Sequence, residues 1–270
     1  MPFASVRGID ICYEIHGSGP RVVVISGTGG DLRQNPQRHR QPLVEGHEVL
    51  LYDQRGLGRS GKPDVEYSMG DYADDCAALM DELGWDRAHV VGISFGGMVA
   101  QHLALRHPER IGRLVLACTS SGGAGGDSFD LLAVADLPPA ERAAIVMPIM
   151  DRRNDMTTDP PTLAPVFDML MAAMGDGRPI NADEPGSALG ARRQLEARAR
   201  HDVFDRLGEI VAPTFVIGGR YDGQAPPENV ERLAAAIEGS RIEFFGGGHM
   251  FLLQDPSAWR SVIEFLDRVD

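Results

Sequence analysis

Gly92-Ile93-Ser94-Phe95-Gly96-Gly97 is the stretch of sequence that decides the predicted fold. It places a serine between glycines, directly after the apolar run 88–93 and directly before a helix-like segment. A serine at such a sharp strand-to-helix turn lifts its hydroxyl above the end of a sheet, and the glycines allow the close backbone approach around it. The N–H groups at the start of the following helix favour negative charge. Ser94 is therefore the candidate nucleophile.

Short apolar runs alternate with helical segments along the rest of the chain. The runs are apolar throughout, which is typical of parallel strands that are covered on both faces. Their alternation with helices predicts a parallel, doubly wound sheet. Residues 5–15, interrupted by Gly8, predict a hairpin at one edge. The predicted strands are 22–25, 49–52, 88–93, 114–117, 214–217 and 241–245, and the predicted helices are about 69–83, 95–106, 226–237 and 256–269.

An acid and a histidine follow two other predicted strands. Reactive side chains collect at the carboxyl ends of the strands in open parallel sheets, so Asp222 and His249 are expected to meet Ser94 there. A neutral imidazole can take the serine proton, and a carboxylate can orient that imidazole. Ser94, Asp222 and His249 are thus the predicted catalytic triad. Asp53 also follows a strand, but Arg55 and the glycines after it indicate that Asp53 orders its own turn.

These motifs resemble those of the α/β-hydrolase family, and they occur in that family's order of serine, acid and histidine. The resemblance spans nearly the whole chain outside an insertion, and it is closest to 3-oxoadipate enol-lactonases and small esterases. It implies an α/β-hydrolase fold, with a mostly parallel central sheet covered by helices on both faces and a helical cap. The matched pieces are residues 53–60, 92–97, 219–222 before Pro226, and 248–249.

The resemblance also implies an oxyanion hole made of two backbone N–H groups. One donor belongs to Phe95, directly after the nucleophile, and the other belongs to the loop after the first parallel strand. Aligning Gly27 with the family glycine makes Thr28 the second donor, with Gly29 as the alternative one position later. Relatives usually have His-Gly in this loop, whereas this chain has Ser26-Gly27.

Residues 121–200 interrupt the alternation of strands and helices and are predicted to form a helical cap on a core of residues 1–120 and 201–270. They contain many prolines, no strand-like run, and six of the eleven methionines. The glycines at 122–126 suit either a hinge or a static loop. The apolar cap residues form either the cap's own core or the ceiling of a substrate pocket. The candidate pocket residues are Gly29, Phe129, Met147, Met150, Phe167 and Met171.

Neither a cofactor nor a metal ion is predicted. Residues 56–61 spell GxGxxG after a strand, but Lys62-Pro63-Asp64 follows them where a dinucleotide site needs a helix. The histidines other than His249 show no metal-ligand spacing, and the three cysteines lie far apart.

Composition limits the classes of partner. The formal net charge of −13 disfavours nucleic acid and anionic membranes, and no apolar run approaches the roughly 18–20 residues of a membrane span. The first ten residues do not resemble a signal peptide, and an odd, low cysteine count fits a reducing compartment. We therefore expect a cytoplasmic monomer or homodimer that acts on a small-molecule substrate.

The leading functional hypothesis is hydrolysis of a carboxylic ester or lactone through an acyl-enzyme. The same triad would also serve a carbon–carbon bond hydrolase, a thioesterase or a perhydrolase. A small-ligand receptor on a hydrolase scaffold is the remaining alternative. The presence of all three triad residue types argues against a receptor, because a pure binder needs no nucleophile–base pair.

Overall fold

One sheet of eight strands runs through the part of the chain that the computed structural model describes, which is residues 1–34, 42–154 and 184–268. The strands are β1 Phe3–Val6, β2 Ile9–His16, β3 Arg21–Ile25, β4 Glu48–Tyr52, β5 Ala88–Ile93, β6 Ile111–Ala117, β7 Thr214–Gly219 and β8 Arg241–Phe245. Their order across the sheet is β1-β2-β4-β3-β5-β6-β7-β8. Strands β3 to β8 are parallel, and the hairpin β1–β2 joins one edge antiparallel to β4.

Side chains satisfy the first backbone N–H groups of two helices, the first and the last of the described residues. Ser68 and Asp71 form a reciprocal capping box before α1, in which each side chain accepts the other residue's N–H. Asp255 caps α7 by accepting the Ser257 N–H at 3.0 Å. The α-helices of the described residues are α1 Met69–Glu82, α2 Phe95–Arg106, α3 Pro139–Met150, α4 Ser187–Ala199, α5 Pro227–Ala236, α6 Phe251–Gln254 and α7 Pro256–Leu266.

Apolar side chains fill both faces of the sheet. Val23 of β3 belongs to a core that α1, α2 and α5 cover, whereas Val22 and Val24 belong to a second core that α7 covers. Each fully buried valine or leucine contributes about 1.5–3 kcal/mol to folding. The predicted doubly wound, mostly parallel sheet is confirmed.

Element ends differ from the sequence prediction where polar residues interrupt an apolar run. Strand β6 begins at Ile111 rather than at residue 114. The prediction started late because Gly112 and Arg113 interrupt the apolar run near the beginning of the strand. The Arg113 side chain is nonetheless buried, and its guanidinium lies 5.4 Å from the Phe265 ring centroid. Helix α7 ends at Leu266, three residues before the predicted end, and the four-residue helix α6 was not predicted.

The described parts of residues 121–200 contain α3, α4 and a short 3₁₀ turn at Gly123–Gly125, and they contain no strand. Gly122 has a φ of 75°, and a Cβ at this position would overlap the His201 carbonyl oxygen. The glycine run therefore packs tightly on the returning chain, which favours the static loop over the hinge. The cap boundaries stay a prediction, because residues 155–183 lie outside the described part of the chain.

A pair of histidines, His102 half-buried and His201 buried, joins α2 to the chain that returns from the insertion. His201 Nε2 lies 3.1 Å from the Ser120 carbonyl oxygen, and His201 Nδ1 lies 3.3 Å from His102 Nε2. This geometry is satisfied when each Nε2 carries a proton and donates it, so both imidazoles are neutral. Burial lowers the pKa of His102 to about 4 and the pKa of His201 to about 3.

We predict that this pair makes the fold sensitive to acid. Both histidines take up protons in the unfolded chain near pH 6.5 but resist protonation in the fold down to about pH 4. Their stabilising contribution is therefore full above pH 6.5 and is lost as the pH falls toward 4, by about 1.4 kcal/mol per pH unit for each proton. Urea unfolding at pH 7.5 and 5.0 should show a smaller loss for His102→Gln/His201→Gln than for the unmodified chain. Equal losses would contradict the assignment.

Candidate active site

Ser94 occupies the sharp turn between β5 and α2. Its backbone has φ 55° and ψ −116°, a conformation that is strained for any residue with a side chain. Two hydrogen bonds hold it there: the Ser94 N–H donates to the Ala117 carbonyl at 2.8 Å, and Thr119 Oγ1 donates to the Ser94 carbonyl at 2.8 Å. The turn points the hydroxyl away from the sheet end, as the sequence motif predicts.

Two glycines of the motif are required by close packing. A Cβ at Gly96 would overlap the Ile25 carbonyl oxygen of the neighbouring strand. A Cβ at Gly92 would lie 2.5 Å from the Gly96 carbonyl oxygen, which is too close for real atoms. The motif therefore brings the start of α2 against β3 and β5.

His249 links the serine to the acid. Its Nε2 lies 2.9 Å from Ser94 Oγ, and its Nδ1 lies 2.8 Å from Asp222 Oδ2. Both distances fall within the roughly 2.6–3.2 Å that proton transfer requires. With the Nδ1 proton donated to the carboxylate, Nε2 accepts from the serine hydroxyl. The structure thus brings all three residues of the predicted triad together.

The turn after β7 satisfies the buried carboxylate. Asp222 is 0% exposed, and its Oδ1 accepts the N–H groups of Gln224 at 2.8 Å and Ala225 at 3.0 Å. Oδ2 is left to face His249. Hydrogen bonds of this kind offset the cost of burying a charge, and they fix the direction of the acid. The backbone N–H of His249 donates to the Met150 carbonyl at 2.6 Å. This bond connects the loop that carries His249 to the end of α3.

The loop after β3 lies beside the nucleophile. A Cβ at Gly27 would be 3.5 Å from Ser94 Cβ. The Gly29 N–H donates to Gln194 Oε1 at 2.9 Å, so the alternative oxyanion donor already has an acceptor. Within the described residues, the N–H groups of Thr28 and Phe95 have no acceptor. This difference favours Thr28 over Gly29, and the oxyanion role of Thr28 and Phe95 stays a prediction.

Asp53, the competing acid, orders its own loop. Its Oδ1 accepts the Leu32 N–H at 2.7 Å, and its Oδ2 accepts the Arg59 N–H at 2.9 Å. Burial raises the pKa of Asp53 to about 6. Gly58, with a φ of 47°, leaves the space that the carboxylate fills. The glycine pattern at 56–61 therefore serves this loop, and the next α-helix begins only at Met69.

A cavity of about 420 Å³ opens onto Ser94 and His249, a size that suits a small substrate. Of the pocket residues predicted from the sequence, Met150 lines this cavity. Gly29, Phe129 and Met147 do not line it within the described residues, and Phe167 and Met171 lie outside the described part of the chain. The lining residues are Gly27, Thr28, Gly30, Gln34, Ile93, Ser94, Cys118, Leu131, Val146, Met150, Gln224, His249 and Met250.

Three polar residues near the site were missed by the sequence analysis. Gln224 places its side-chain Nε2 2.8 Å from His249 Nε2, Thr119 supports the serine turn, and Gln194 holds the loop at Gly29. Thr119 had a usable signal, because it lies two residues after the predicted strand 114–117, whereas Gln224 lies seven residues after the predicted strand 214–217. Gln194 had none, since it lies in a helix 165 residues from its partner.

The described residues contain no group of three or more His, Cys, Asp or Glu side chains that could hold a metal ion. Over the same ranges, no helix is long and apolar enough to cross a membrane. Cys12, Cys76 and Cys118 are buried and form no disulfide.

Comparison with known proteins places these features in one family. The chain matches the family model described as alpha/beta hydrolase fold over residues 20–143 and 154–256. It is 32% identical to the putative carbamate hydrolase RutD of Variovorax paradoxus (strain S110), covering 95% of this chain and 96% of that protein. It is also 32% identical to the 2-hydroxy-6-oxononadienedioate/2-hydroxy-6-oxononatrienedioate hydrolase of Cupriavidus pinatubonensis, covering 98% and 94%.

A solved structure gives the same result. The enol-lactonase from Burkholderia xenovorans LB400 matches with a TM-score of 0.82 and 27% identity, covering 99% of this chain and all of that one. The mostly parallel sheet and the strand-to-helix turn at Ser94 are those that the sequence predicts. Because sequence and structure agree over nearly the full length, this chain belongs to the α/β-hydrolase fold family.

Proposed function

We propose that this chain hydrolyses a carboxylic ester or a lactone through an acyl-enzyme on Ser94. The observation that carries the proposal is the continuous hydrogen-bonded line from Ser94 Oγ through His249 to Asp222 at the wall of a cavity. An isolated serine hydroxyl is a weak nucleophile, and a base at this distance activates it. The family match supports hydrolase chemistry in general, and the ester or lactone bond is the finer step of the proposal.

The reaction begins when Ser94 Oγ attacks the substrate carbonyl and His249 Nε2 takes its proton. Asp222 holds the Nδ1 proton and stabilises the imidazolium that forms. The proposal assigns the tetrahedral oxyanion to the N–H groups of Phe95 and Thr28, and the start of α2 adds its positive dipole end. His249 then returns the proton to the leaving oxygen, and an acyl group remains on Ser94.

The relatives support more than one scissile bond. The structural match to an enol-lactonase favours a lactone or ester. The Cupriavidus relative, named as an oxononadienedioate hydrolase, favours carbon–carbon bond cleavage as the second candidate, and the RutD relatives are named for carbamates. Rates on p-nitrophenyl esters, small lactones, a vinylogous diketone, a carbamate and a thioester would rank these bonds. Binding of such compounds without turnover would favour a receptor instead.

Ser94 should be the residue that a fluorophosphonate probe labels, because its hydroxyl alone among the described serines faces His249 Nε2. Ser94→Ala should lose the label and up to about 10⁶-fold in kcat. Ser26→Ala, on the neighbouring loop, should still be labelled at position 94. Peptide mass mapping checks both variants, and a label on Ser26 in the unmodified chain would refute the assignment.

Asp222→Asn should fold normally but lose about 10⁴-fold in kcat, because an amide does not hold the same histidine tautomer. Asp53→Asn is the matched control. It should lose about 1–3 kcal/mol of unfolding free energy, since one of two backbone N–H groups loses its acceptor, with a far smaller effect on kcat. Kinetics with p-nitrophenyl acetate and urea unfolding measure the two effects. The opposite pattern would make Asp53 the catalytic acid.

Met150 should influence the choice of acyl group, whereas Met147 should not, because Met150 lines the cavity and Met147 does not line it in the described structure. Met150→Ala should change kcat/KM for p-nitrophenyl octanoate relative to acetate by about 10-fold, the usual effect of a few methylenes in an apolar pocket. Met147→Ala is the control of equal size. Unchanged ranking in both variants would show that the Met150 side chain does not select the acyl group.

A further inference from the structure

The Gln224 side chain lies next to His249 Nε2, the nitrogen that takes and returns the serine proton in the proposed reaction. Its side-chain amide nitrogen lies 2.8 Å from His249 Nε2, while Ser94 Oγ lies 2.9 Å from the same atom. Gln224 is 4% exposed and lines the cavity that holds Ser94. Two donors thus approach one imidazole nitrogen, from the serine side and from the acid loop.

A neutral imidazole nitrogen has a single lone pair, so Ser94 and Gln224 cannot both make straight hydrogen bonds to His249 Nε2. The competition ends once Ser94 carries an acyl group, because its oxygen then has no proton to donate. His249 Nε2 must at that stage accept from a water, which has to lie within about 2.6–3.2 Å of it. The amide of Gln224 lies at that distance from Nε2 in the free protein.

The described residues of the cavity offer such a water few other partners. Apart from the loop after β3 and Gln34, most of the described lining side chains are apolar, such as Leu131 and Met150. An ordered water needs about two to four polar partners. Gln224 supplies one, because its Oε1 accepts no hydrogen bond from the described residues.

We infer that Gln224 is a further catalytic residue, which holds the hydrolytic water against His249 when the acyl-enzyme is cleaved. The inference rests on the proposed acyl-enzyme on Ser94. The water replaces the amide N–H at the Nε2 lone pair and donates its second O–H to Gln224 Oε1. Both protons of the water then have acceptors, and a lone pair of its oxygen is directed at the acyl carbon.

The step needs no further reactant. The water gives one proton to His249 Nε2 while its oxygen bonds to the acyl carbon, and the bond from that carbon to Ser94 Oγ then breaks. Ser94 Oγ takes the proton from Nε2, and the free acid leaves. No covalent bond of Gln224 is made or broken. Its amide only orients the water by hydrogen bonding.

The backbone of Gln224 is held by a hydrogen bond on each side of its Cα. Its N–H donates to Asp222 Oδ1 at 2.8 Å, and its carbonyl accepts the Phe129 N–H at 2.8 Å. The root of the side chain therefore keeps its place relative to the acid, and only the amide itself needs to adjust when water enters.

The test separates acylation from deacylation with p-nitrophenyl acetate in a stopped-flow instrument. Gln224→Met keeps the length of the side chain and removes the amide. It should release about one equivalent of nitrophenolate at close to the normal rate and then turn over about 10- to 100-fold more slowly. Intact mass spectrometry should show acetyl on Ser94. Gln224→Asn keeps an amide that is one methylene too short, and it should show the same burst if the Met variant does not fold.

Gln194→Met is the matched control. Gln194 holds the oxyanion loop at Gly29, which serves both halves of the reaction, so acylation and deacylation should fall together without a burst. Folded Gln224 variants that deacylate at the normal rate, or that lose both rates equally, would overturn the role of Gln224. A different result, no acetyl on Ser94 in any form of the protein, would overturn the acyl-enzyme itself.

Discussion

The strained backbone of Ser94 is the constraint on which the rest of the site depends. A non-glycine residue at φ 55° and ψ −116° costs on the order of 1–3 kcal/mol, and such a conformation persists only where its surroundings enforce it. The hydrogen bonds to Ala117 and from Thr119 do so, and both partners belong to β6 or the residues just after it. Since β5 pairs with β3 on one side and with β6 on the other, the parallel sheet holds the strand that leads into this turn.

The acid and the histidine extend this arrangement by bringing distant polar groups together. Ser94 and His249 lie 155 residues apart in the chain, yet their polar atoms are in hydrogen-bond contact. The Asp222 carboxyl group is fully buried, which is tolerable because three hydrogen bonds converge on its two oxygens. The same bonds prevent the carboxyl group from turning away, and they thereby fix the orientation of the imidazole.

The sequence predicts those features that a short pattern encodes. Ser94, Asp222 and His249 could be identified because each follows a strand, and the ends of parallel strands meet at one edge. The start of β6 was misplaced because Arg113 is polar by sequence and buried by packing. Gln224 and Gln194 were missed because a lone glutamine has no pattern of its own. Their roles depend on hydrogen bonds of the side chain to residues that are distant in sequence and come close only in the folded chain.

Residues of the insertion form hydrogen bonds with the two loops that carry Thr28 and His249. These bonds link the substrate pocket to the candidate site. The Met150 carbonyl at the end of α3 holds the His249 N–H, while the Met150 side chain lines the cavity. Gln194 of α4 holds the loop that carries Thr28. A shift of α3 therefore moves a pocket wall and the backbone of His249 at once, and a shift of α4 moves the loop that carries Thr28. Changes in the pocket at Met150 are consequently coupled to the position of His249, whereas Leu131, which lines the same cavity outside both helices, makes no such bond to Ser94, Asp222 or His249 in the described structure.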